Sequence, residues 1–82
     1  MKLRLKGAEI LKRSGAENAH QLALKSQVSY PTVDRWVNRP ETVKSIDSTV
    51  LAALLAHGWG LSADEILNLK LGEVFELENG TH

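Results

Sequence analysis

The fold is decided by residues 19–38, which read AHQLALKSQVSYPTVDRWVN. In the first half, small and apolar side chains recur at helical spacing after Asn18, a favourable N-cap, and predict a helix over 19–26. In the second half, Pro31 suits a first helical turn, and an apolar stripe predicts a helix over 30–38. Because only three residues join these helices, they must cross at a steep angle, which is the geometry of a helix-turn-helix. The predicted inward side chains are Ala19, Leu22, Ala23, Val33, Trp36 and Val37.

Three more helices are predicted around this segment. A helix over 6–14 ends at Gly15, because glycine can adopt the left-handed conformation that follows a last helical turn. A fourth helix starts from an N-cap at Asp47 or Ser48, and a fifth starts from the capping-box sequence of residues 62–65. The apolar positions that support these three helices are Ala8, Ile10 and Leu11, then the wide stripe of Val50, Leu51, Leu54 and Leu55, and finally Ile66, Leu67 and Leu69.

Two short strands are predicted at the ends of the domain. Residues 1–6 alternate between apolar and basic side chains, and residues 73–78 alternate in part and contain β-branched and aromatic types. Since the first segment is basic and the second acidic, opposite charges favour their pairing. The chain is therefore predicted to be a single, mostly α domain of five helices over 1–78, with paired terminal strands and a flexible tail over 79–82.

The composition limits the chain to one small domain. It has 82 residues, of which 43% are hydrophobic, no cysteine and a formal net charge of zero. A chain this short has room for one core, and without cysteine it forms neither disulfides nor the usual zinc sites. No apolar run approaches the roughly 18 to 20 residues that span a bilayer, and the start lacks the apolar stretch of a signal peptide. These features predict a cytoplasmic protein.

The charges are segregated along the chain. Residues 1–44 hold nine basic and four acidic side chains, whereas residues 45–82 hold one basic and six acidic side chains. A basic half can present a cationic face to a polyanion while the acidic half repels it, which favours an oriented contact with nucleic acid. The alternative is that the basic half is only solvated surface.

Two separate motifs carry a resemblance to a known family. Residues 22–36, LALKSQVSYPTVDRW, resemble the helix-turn-helix of the Cro and lambda-repressor-like (Xre-type) transcriptional regulators. Residues 59–67, WGLSADEIL, look like the closing motif of that family, Leu-Gly-Val-Ser-x-Asp-Glu-Leu-Leu. The resemblance covers residues 6–69 and implies a five-helix lambda-repressor-like domain that binds double-stranded DNA. It also implies that the protein is bacterial or encoded by a phage. It further implies a repressor that occupies a palindromic operator as a homodimer.

The resemblance assigns the outward face of the 30–38 helix to the major groove of DNA. There, Arg35 suits a bidentate contact to guanine, and Asp34 accepts from cytosine or orients Arg35. The predicted base-contacting residues are Tyr30, Pro31, Thr32, Asp34 and Arg35. The predicted phosphate-contacting residues, at helix ends and in the following loop, are Asn18, Ala19, Lys25, Asn38, Arg39 and Lys44.

Three positions depart from the pattern of the family. Gln27 stands where relatives place the turn glycine, which costs about 1 kcal/mol in left-handed backbone. Ala19 stands where many relatives have a glutamine that contacts a phosphate or a base-reading side chain, so only backbone N–H groups are left for a phosphate. Pro31 replaces a polar base reader and offers apolar contact to a thymine methyl group.

The sequence lacks the motifs of the common enzyme and metal-binding classes. It has no cysteine nucleophile, no glycine-rich phosphate loop and no metal-ligand spacing among its histidines, so we expect no enzyme activity, cofactor, metal or small-molecule ligand. The main alternative is a protein–protein interaction module of the same fold that has lost DNA binding, and the antitoxin of a toxin–antitoxin pair shares the same pattern. The seam of the expected homodimer is assigned to the fifth helix or to the C-terminal strand, which is apolar in part at Leu71, Val74, Phe75 and Leu77.

Overall fold

The computed structural model describes residues 1–78, which form five α-helices and one two-stranded antiparallel sheet. In chain order the elements are β1 (Lys2–Leu5), α1 (Gly7–Ser14), α2 (Ala19–Ser26), α3 (Tyr30–Asn38), α4 (Ser48–Ala53), α5 (Ala63–Leu67) and β2 (Phe75–Glu78). Short 3-10 turns lie at Pro40–Thr42 and Leu71–Glu73, and α4 continues into a π-helical turn at Leu54–Gly58. The predicted mostly α class, the five helices and the paired terminal strands are confirmed, whereas the tail over 79–82 lies outside the described residues. None of these helices is long and apolar enough to cross a membrane.

The helices begin where side chains satisfy their first backbone N–H groups. Asn18 Oδ1 accepts from the Gln21 amide at 2.9 Å, and Asp47 Oδ1 accepts from two amides in the first turn of α4, at 2.8 and 3.1 Å. Ser62 and Glu65 form the predicted reciprocal capping box at the start of α5. Because caps of this kind stabilise a helix by about 1 kcal/mol each, these short helices depend on them.

The turn between α2 and α3 contains the left-handed residue that the sequence predicts. Gln27 has a φ of 61° and a ψ of 31°, and its N–H donates to the Ala23 carbonyl oxygen. The Val28 N–H donates to the same carbonyl at 3.2 Å, and the half-buried Val28 side chain packs against the core. The chain therefore leaves α2 sharply enough for α3 to begin three residues later.

The ribbon formed by β1 and β2 brings the two ends of the domain together. The strands pair in the register Lys2 with Glu78, Leu3 with Leu77, Arg4 with Glu76 and Leu5 with Phe75. The predicted pairing of opposite charges is confirmed, since an Arg4 guanidinium nitrogen lies 3.2 Å from Glu76 Oε2. Because side chains alternate along a strand, the charged residues share one face of the ribbon and the apolar residues share the other.

The core lies where the first three helices meet the π-helical turn. The largest fully buried apolar side chains are Leu5, Ile10, Leu22, Val33 and Leu54. Trp36 is buried as predicted, with 2% of its surface exposed, while Trp59 is half-buried. The Trp59 indole N–H donates to the Ile10 carbonyl oxygen at 3.0 Å, so this ring fastens the segment after α4 to α1.

Two apolar residues of the predicted helices are exposed. The inward face of α1 consists of Gly7, Ile10 and Ser14, and this leaves Ala8 on the solvent side of the helix. Leu67 exposes 82% of its surface, because α5 ends at this residue with its other apolar face against the core. The helices therefore lie where the sequence predicts them, although not all of their apolar side chains face the core.

α1 approaches α3 most closely at Gly7. A Cβ atom at this position would collide with the Val37 carbonyl oxygen and lie 2.8 Å from the Trp36 carbonyl oxygen. The N-terminal end of α1 thus rests on the C-terminal carbonyl groups of α3, where oppositely charged ends of two helix dipoles meet. This contact fixes the position of the C-terminal end of α3 relative to α1.

Candidate nucleic-acid interface

α3 presents one exposed face to solvent. Its other face is fixed by Val33, Trp36 and Val37, which expose 5% of their surface or less and turn inward as predicted. α2 packs against α3 more extensively than any other two helices of the described residues pack together. Of the predicted DNA-contacting residues on α3, Tyr30, Pro31, Arg35 and Asn38 are exposed, and Thr32 and Asp34 are half-buried.

The Asp34 carboxylate is held by residues further along the chain and not by Arg35. It accepts from Asn38 Nδ2 at 2.8 Å and from an Arg39 guanidinium nitrogen at 3.1 Å. These contacts, chiefly the Asn38 hydrogen bond, hold the pKa of Asp34 below its usual value. The prediction that Asp34 orients Arg35 is wrong, because neighbouring residues on a helix point in different directions while residues four apart lie on one face.

Arg35 and Lys44 line one polar depression beside α3. The depression has a volume of about 280 Å³, and Thr42, Val43 and Ser45 complete its lining. Among residues 1–78, neither of the two cations takes part in an ion pair. Two unpaired cations and two hydroxyl groups on one concave surface are the donors that bind phosphate oxygens.

The N-terminus of α2 offers backbone donors for an anion. Asn18 is occupied as the cap, and the Ala19 side chain is buried with 3% of its surface exposed. Because the first N–H groups of a helix have no acceptor within it, the amides of Ala19 and His20 can donate to a ligand. A phosphate would therefore bind to main-chain N–H groups at this position, as the sequence predicts for Ala19.

Lys25 is engaged within the protein. Its ammonium group donates to the Ser14 carbonyl oxygen at 2.6 Å, at the C-terminus of α1. A cation is favoured at that end of a helix by the helix dipole. The contact ties α2 to α1, and it leaves Lys25 with two of its three N–H donors for the predicted phosphate contact.

His20 also belongs to this surface, although it is not among the predicted site residues. The His20 and Tyr30 rings meet edge to face, with centroids 5.6 Å apart and planes inclined by 61°. The contact fixes the Tyr30 ring at the start of α3. No sequence signal marks this pair, because its members lie ten positions apart on different helices.

The basic half of the sequence does not form a single basic face. Part of it is neutralised by the acidic half, through the predicted pairing of charges between the two strands and through one further pair, Arg13 with Glu73, that the sequence did not predict. The ion pairs are Lys2 with Glu78 at 3.9 Å, Arg4 with Glu76 at 3.2 Å, and Arg13 with Glu73 at 3.3 Å. The cations that remain near the outward face of α3 are therefore few.

A second concave surface is less suited to a specific ligand. This cavity, of about 450 Å³, lies between β1, the start of α1 and the C-terminal end of α3. Its lining mixes Arg4 and Lys6 with Glu9, Glu41 and Glu76, so it favours neither an anion nor a cation. Within the part of the chain that the structure describes, no group of three or more His, Asp or Glu side chains is arranged to hold a metal ion.

Comparison with known proteins finds no family model, no curated protein and no solved structure that matches this chain. Its function therefore has to be inferred from the placement of its own residues. The most distinctive features are the outward face of α3 and the depression that Arg35 and Lys44 line.

Proposed function

We propose that this chain is a sequence-specific, double-stranded DNA-binding transcriptional regulator, a repressor that acts in the cytoplasm and occupies a palindromic operator as a homodimer. The observation that supports it is the outward face of α3, which runs from Tyr30 to Arg35 and is flanked by the depression that Arg35 shares with Lys44. A helix presented in this way fits the major groove, which is about 12 Å wide. In the helix-turn-helix geometry the preceding helix crosses the backbone.

The residues of α3 divide between reading bases and holding the backbone. Tyr30 and Pro31 stand at the N-terminal end of α3, the end that reaches base edges in this geometry. The Tyr30 hydroxyl hydrogen-bonds a base or a phosphate, and Pro31 contacts a thymine methyl group. Arg35 reaches guanine one turn later, while Lys44 in the following loop holds a phosphate and fixes the register.

Selection of duplexes from a randomised library by the purified protein tests this proposal. We expect enrichment of a palindrome whose half-sites lie about 10 base pairs apart, centre to centre. Arg35→Ala should relax or abolish the selection, whereas Lys12→Ala, which removes an exposed cation of α1, should leave the selected sequence unchanged. Recovery of unenriched sequence by the unaltered protein would contradict the proposal.

The same experiment separates two roles for Arg35. If Arg35 reads guanine, its loss relaxes the selection at one position and costs about 1–3 kcal/mol in discrimination there. If Arg35 binds phosphate together with Lys44, its loss weakens binding to all duplexes alike. It then also lowers by about one the salt slope, which is the steepness with which the logarithm of the affinity falls with the logarithm of the salt concentration. Lys44→Ala provides the reference, because a lysine in the loop is expected to give only the second result.

A second candidate function is a protein–protein interaction module of the same fold that does not bind DNA. The pairing of Lys2, Arg4 and Arg13 with the acidic residues near the C-terminus favours it, because it reduces the charge available to a polyanion. Salt dependence distinguishes the two candidates. A DNA-binding regulator loses about 10³-fold or more in affinity between 50 and 200 mM salt if it neutralises six or more phosphates, and an interaction module has no duplex affinity to lose.

A further inference from the structure

The first turn of α3 depends on Tyr30 for polar contact with a base. Pro31 carries no polar group in its side chain, and the Thr32 hydroxyl already accepts from the Ser29 hydroxyl at 2.9 Å. Tyr30 exposes 46% of its surface, so the core does not fix its ring. Because the hydroxyl lies at the far end of that ring, a change of rotamer displaces it by more than a hydrogen bond tolerates. Reading a base through Tyr30 therefore requires a neighbour that holds the ring.

His20 of α2 is the neighbour that contacts this ring. The two rings meet edge to face, with centroids 5.6 Å apart and planes inclined by 61°. Aromatic pairs prefer this arrangement, because the positive edge of one ring meets the negative face of the other. Since His20 is itself exposed, the contact lies at the surface of the domain and not in its core.

The backbone that carries His20 is fixed on both sides. The preceding residue, Ala19, is buried with 3% of its surface exposed. Asn18 Oδ1 accepts from the Gln21 N–H at 2.9 Å, and the Gln21 side-chain oxygen in turn accepts from the Glu17 N–H at 2.8 Å. These two hydrogen bonds hold the first turn of α2, to which His20 belongs. The His20 ring therefore starts from a fixed position.

We propose that His20 is a positioning residue for base recognition, whose ring holds the Tyr30 ring in the orientation in which the Tyr30 hydroxyl meets a base edge. The inference rests on the proposed function and deepens it, because it names a specificity-determining residue outside α3. In the helix-turn-helix geometry α2 crosses the DNA backbone, so His20 stands on the helix beside the reading helix. Its effect on the base is exerted only through Tyr30.

The strength of the ring contact limits the size of this effect. An edge-to-face pair favours one orientation of the ring by a factor of about 2 to 10. Only the oriented fraction of the protein is competent to read the base, so losing the His20 ring lowers the affinity for the selected duplex by the same factor. Duplexes that lack the base read by Tyr30 should lose no affinity.

Nuclear magnetic resonance of the full chain without DNA tests the ring contact. Tyr30 is the only tyrosine among the 82 residues, so isotope-labelled tyrosine gives the ring signals of a single residue. We expect nuclear Overhauser contacts between the His20 and Tyr30 rings. His20→Ala should move the Tyr30 signals toward those of a free tyrosine, because it removes the ring current of the imidazole. His57→Ala, which removes an exposed histidine of the π-helical turn, is the matched control and should leave the signals in place.

Affinities for the selected duplex, and for duplexes altered at each position in turn, test the positioning role. His20→Ala should lower the affinity for the selected duplex by about 2- to 10-fold and relax the preference at the base pair that Tyr30→Phe also relaxes. His20→Phe should restore both, since it keeps an aromatic ring, whereas His20→Gln keeps a hydrogen-bonding group without the ring and should behave like His20→Ala. In a Tyr30→Phe background, His20→Ala should change the affinity by no more than about twofold, because the hydroxyl through which His20 acts is absent.

Three results would overturn the inference. The first is a Tyr30 ring signal that does not respond to His20→Ala. The second is an equal loss of affinity for all duplexes, or rescue by His20→Gln in place of His20→Phe, because His20 would then bind a phosphate through its N–H groups. The third is additivity of His20→Ala and Tyr30→Phe. Far-ultraviolet circular dichroism checks that each variant is folded. If His20→Ala does not fold, the ring-to-ring contacts of the unaltered protein decide, and their absence would overturn the inference.

The same duplexes separate this inference from the proposed function. If the unaltered protein enriches a palindrome and His20→Ala selects the same sequence with the same affinity, the role of His20 is overturned and the function is retained. If the unaltered protein enriches no sequence, the proposed function is overturned and the role of His20 with it.

Discussion

Gly7→Ala tests whether the rear contact of α3 is as close as the structure shows. The added Cβ would collide with the Val37 carbonyl oxygen and lie 2.8 Å from the Trp36 carbonyl oxygen. Both atoms belong to the backbone of α3, so no side-chain rotation relieves the overlap. Overpacking of this kind costs about 1–3 kcal/mol, occasionally more. Alanine in a helix recovers roughly 0.5–1 kcal/mol relative to glycine. We therefore expect the free energy of unfolding to fall by about 1–2 kcal/mol.

Two other glycines calibrate this prediction. A Cβ at Gly58 would lie 3.0 Å from the end of the Leu22 side chain, which can rotate, and a Cβ at Gly72 would meet nothing within 4 Å. Stability should therefore decrease in the order Gly72→Ala, Gly58→Ala, Gly7→Ala. For a domain of this size, about 1–2 kcal/mol corresponds to a fall in melting temperature of roughly 4–16 °C.

Urea and thermal denaturation followed by far-ultraviolet circular dichroism give these values, and the slope of the urea transition checks that the unfolded state is unchanged. If Gly7→Ala were as stable as Gly72→Ala, the described contact between α1 and α3 would be refuted. If Gly7→Ala were destabilised and retained full duplex affinity, the contact would matter for stability but not for the position of α3.

Three further predictions concern the turn, the Asp34 cluster and acid stability. Gln27→Gly should raise the melting temperature, because glycine relieves about 1–2 kcal/mol of strain at a left-handed position and costs only roughly 0.5–1 kcal/mol in chain entropy. An unchanged or lower melting temperature would contradict the φ of 61°. Asp34→Ala should strengthen duplex binding and steepen the salt slope by about one, since it releases Arg39 for phosphate; weaker binding to a single sequence would instead assign Asp34 to a base. Backbone N–H donors are the main reason that the pKa values of Glu65 and Glu73 are lowered in the folded protein. The stability that these carboxylates add is therefore fully present above their ordinary pKa of about 4.3. It is lost as the pH falls through the lower pKa values of the folded state. The urea midpoint should therefore hold from pH 8 to 6 and fall below about pH 4, and Glu65→Gln should reduce that fall.

Helix positions could be predicted because their signals are local. Asn18, Asp47 and Ser62 cap the helices that they precede in sequence, and Gly15 has the expected left-handed φ of 77°. The Asp34–Asn38 contact was equally accessible, since it follows from a spacing of four residues on one helix. Of the two roles predicted for Asp34, a contact to cytosine and the orientation of Arg35, neither takes this spacing into account.

The remaining features of the site depend on tertiary contacts that no local pattern encodes. The carbonyl oxygen that Lys25 binds lies eleven positions away, on another helix. The need for glycine at position 7 depends on where the last turn of α3 passes, and the pairing of His20 with Tyr30 depends on how two helices cross. The exposure of Leu67 has a related origin, because apolar character does not determine which side of a five-residue helix meets the core.

The charge segregation in the sequence has two possible uses, and the salt slope of duplex binding distinguishes them. If the ion pairs of the ribbon and the Arg39–Asp34 pair persist on DNA, the cations left near α3 are Lys25, Arg35 and Lys44. Three contacts give a slope of about −2.7 per protomer or about −5 per dimer. If all nine basic residues of positions 1–44 contacted phosphates, the slope would be about −8 per protomer or about −16 per dimer.

We expect the smaller value, because Lys2, Arg4 and Arg13 already have carboxylate partners at 3.9 Å or less. Fluorescence anisotropy of an operator duplex between about 50 and 300 mM salt measures the slope. Glu76→Gln supplies the control, since it releases Arg4 without altering α3 and should leave the slope unchanged. A dimer slope steeper than about −10, or a steeper slope for Glu76→Gln, would show that the cations of the ribbon leave their carboxylate partners and contact phosphates. Either result would refute this assignment.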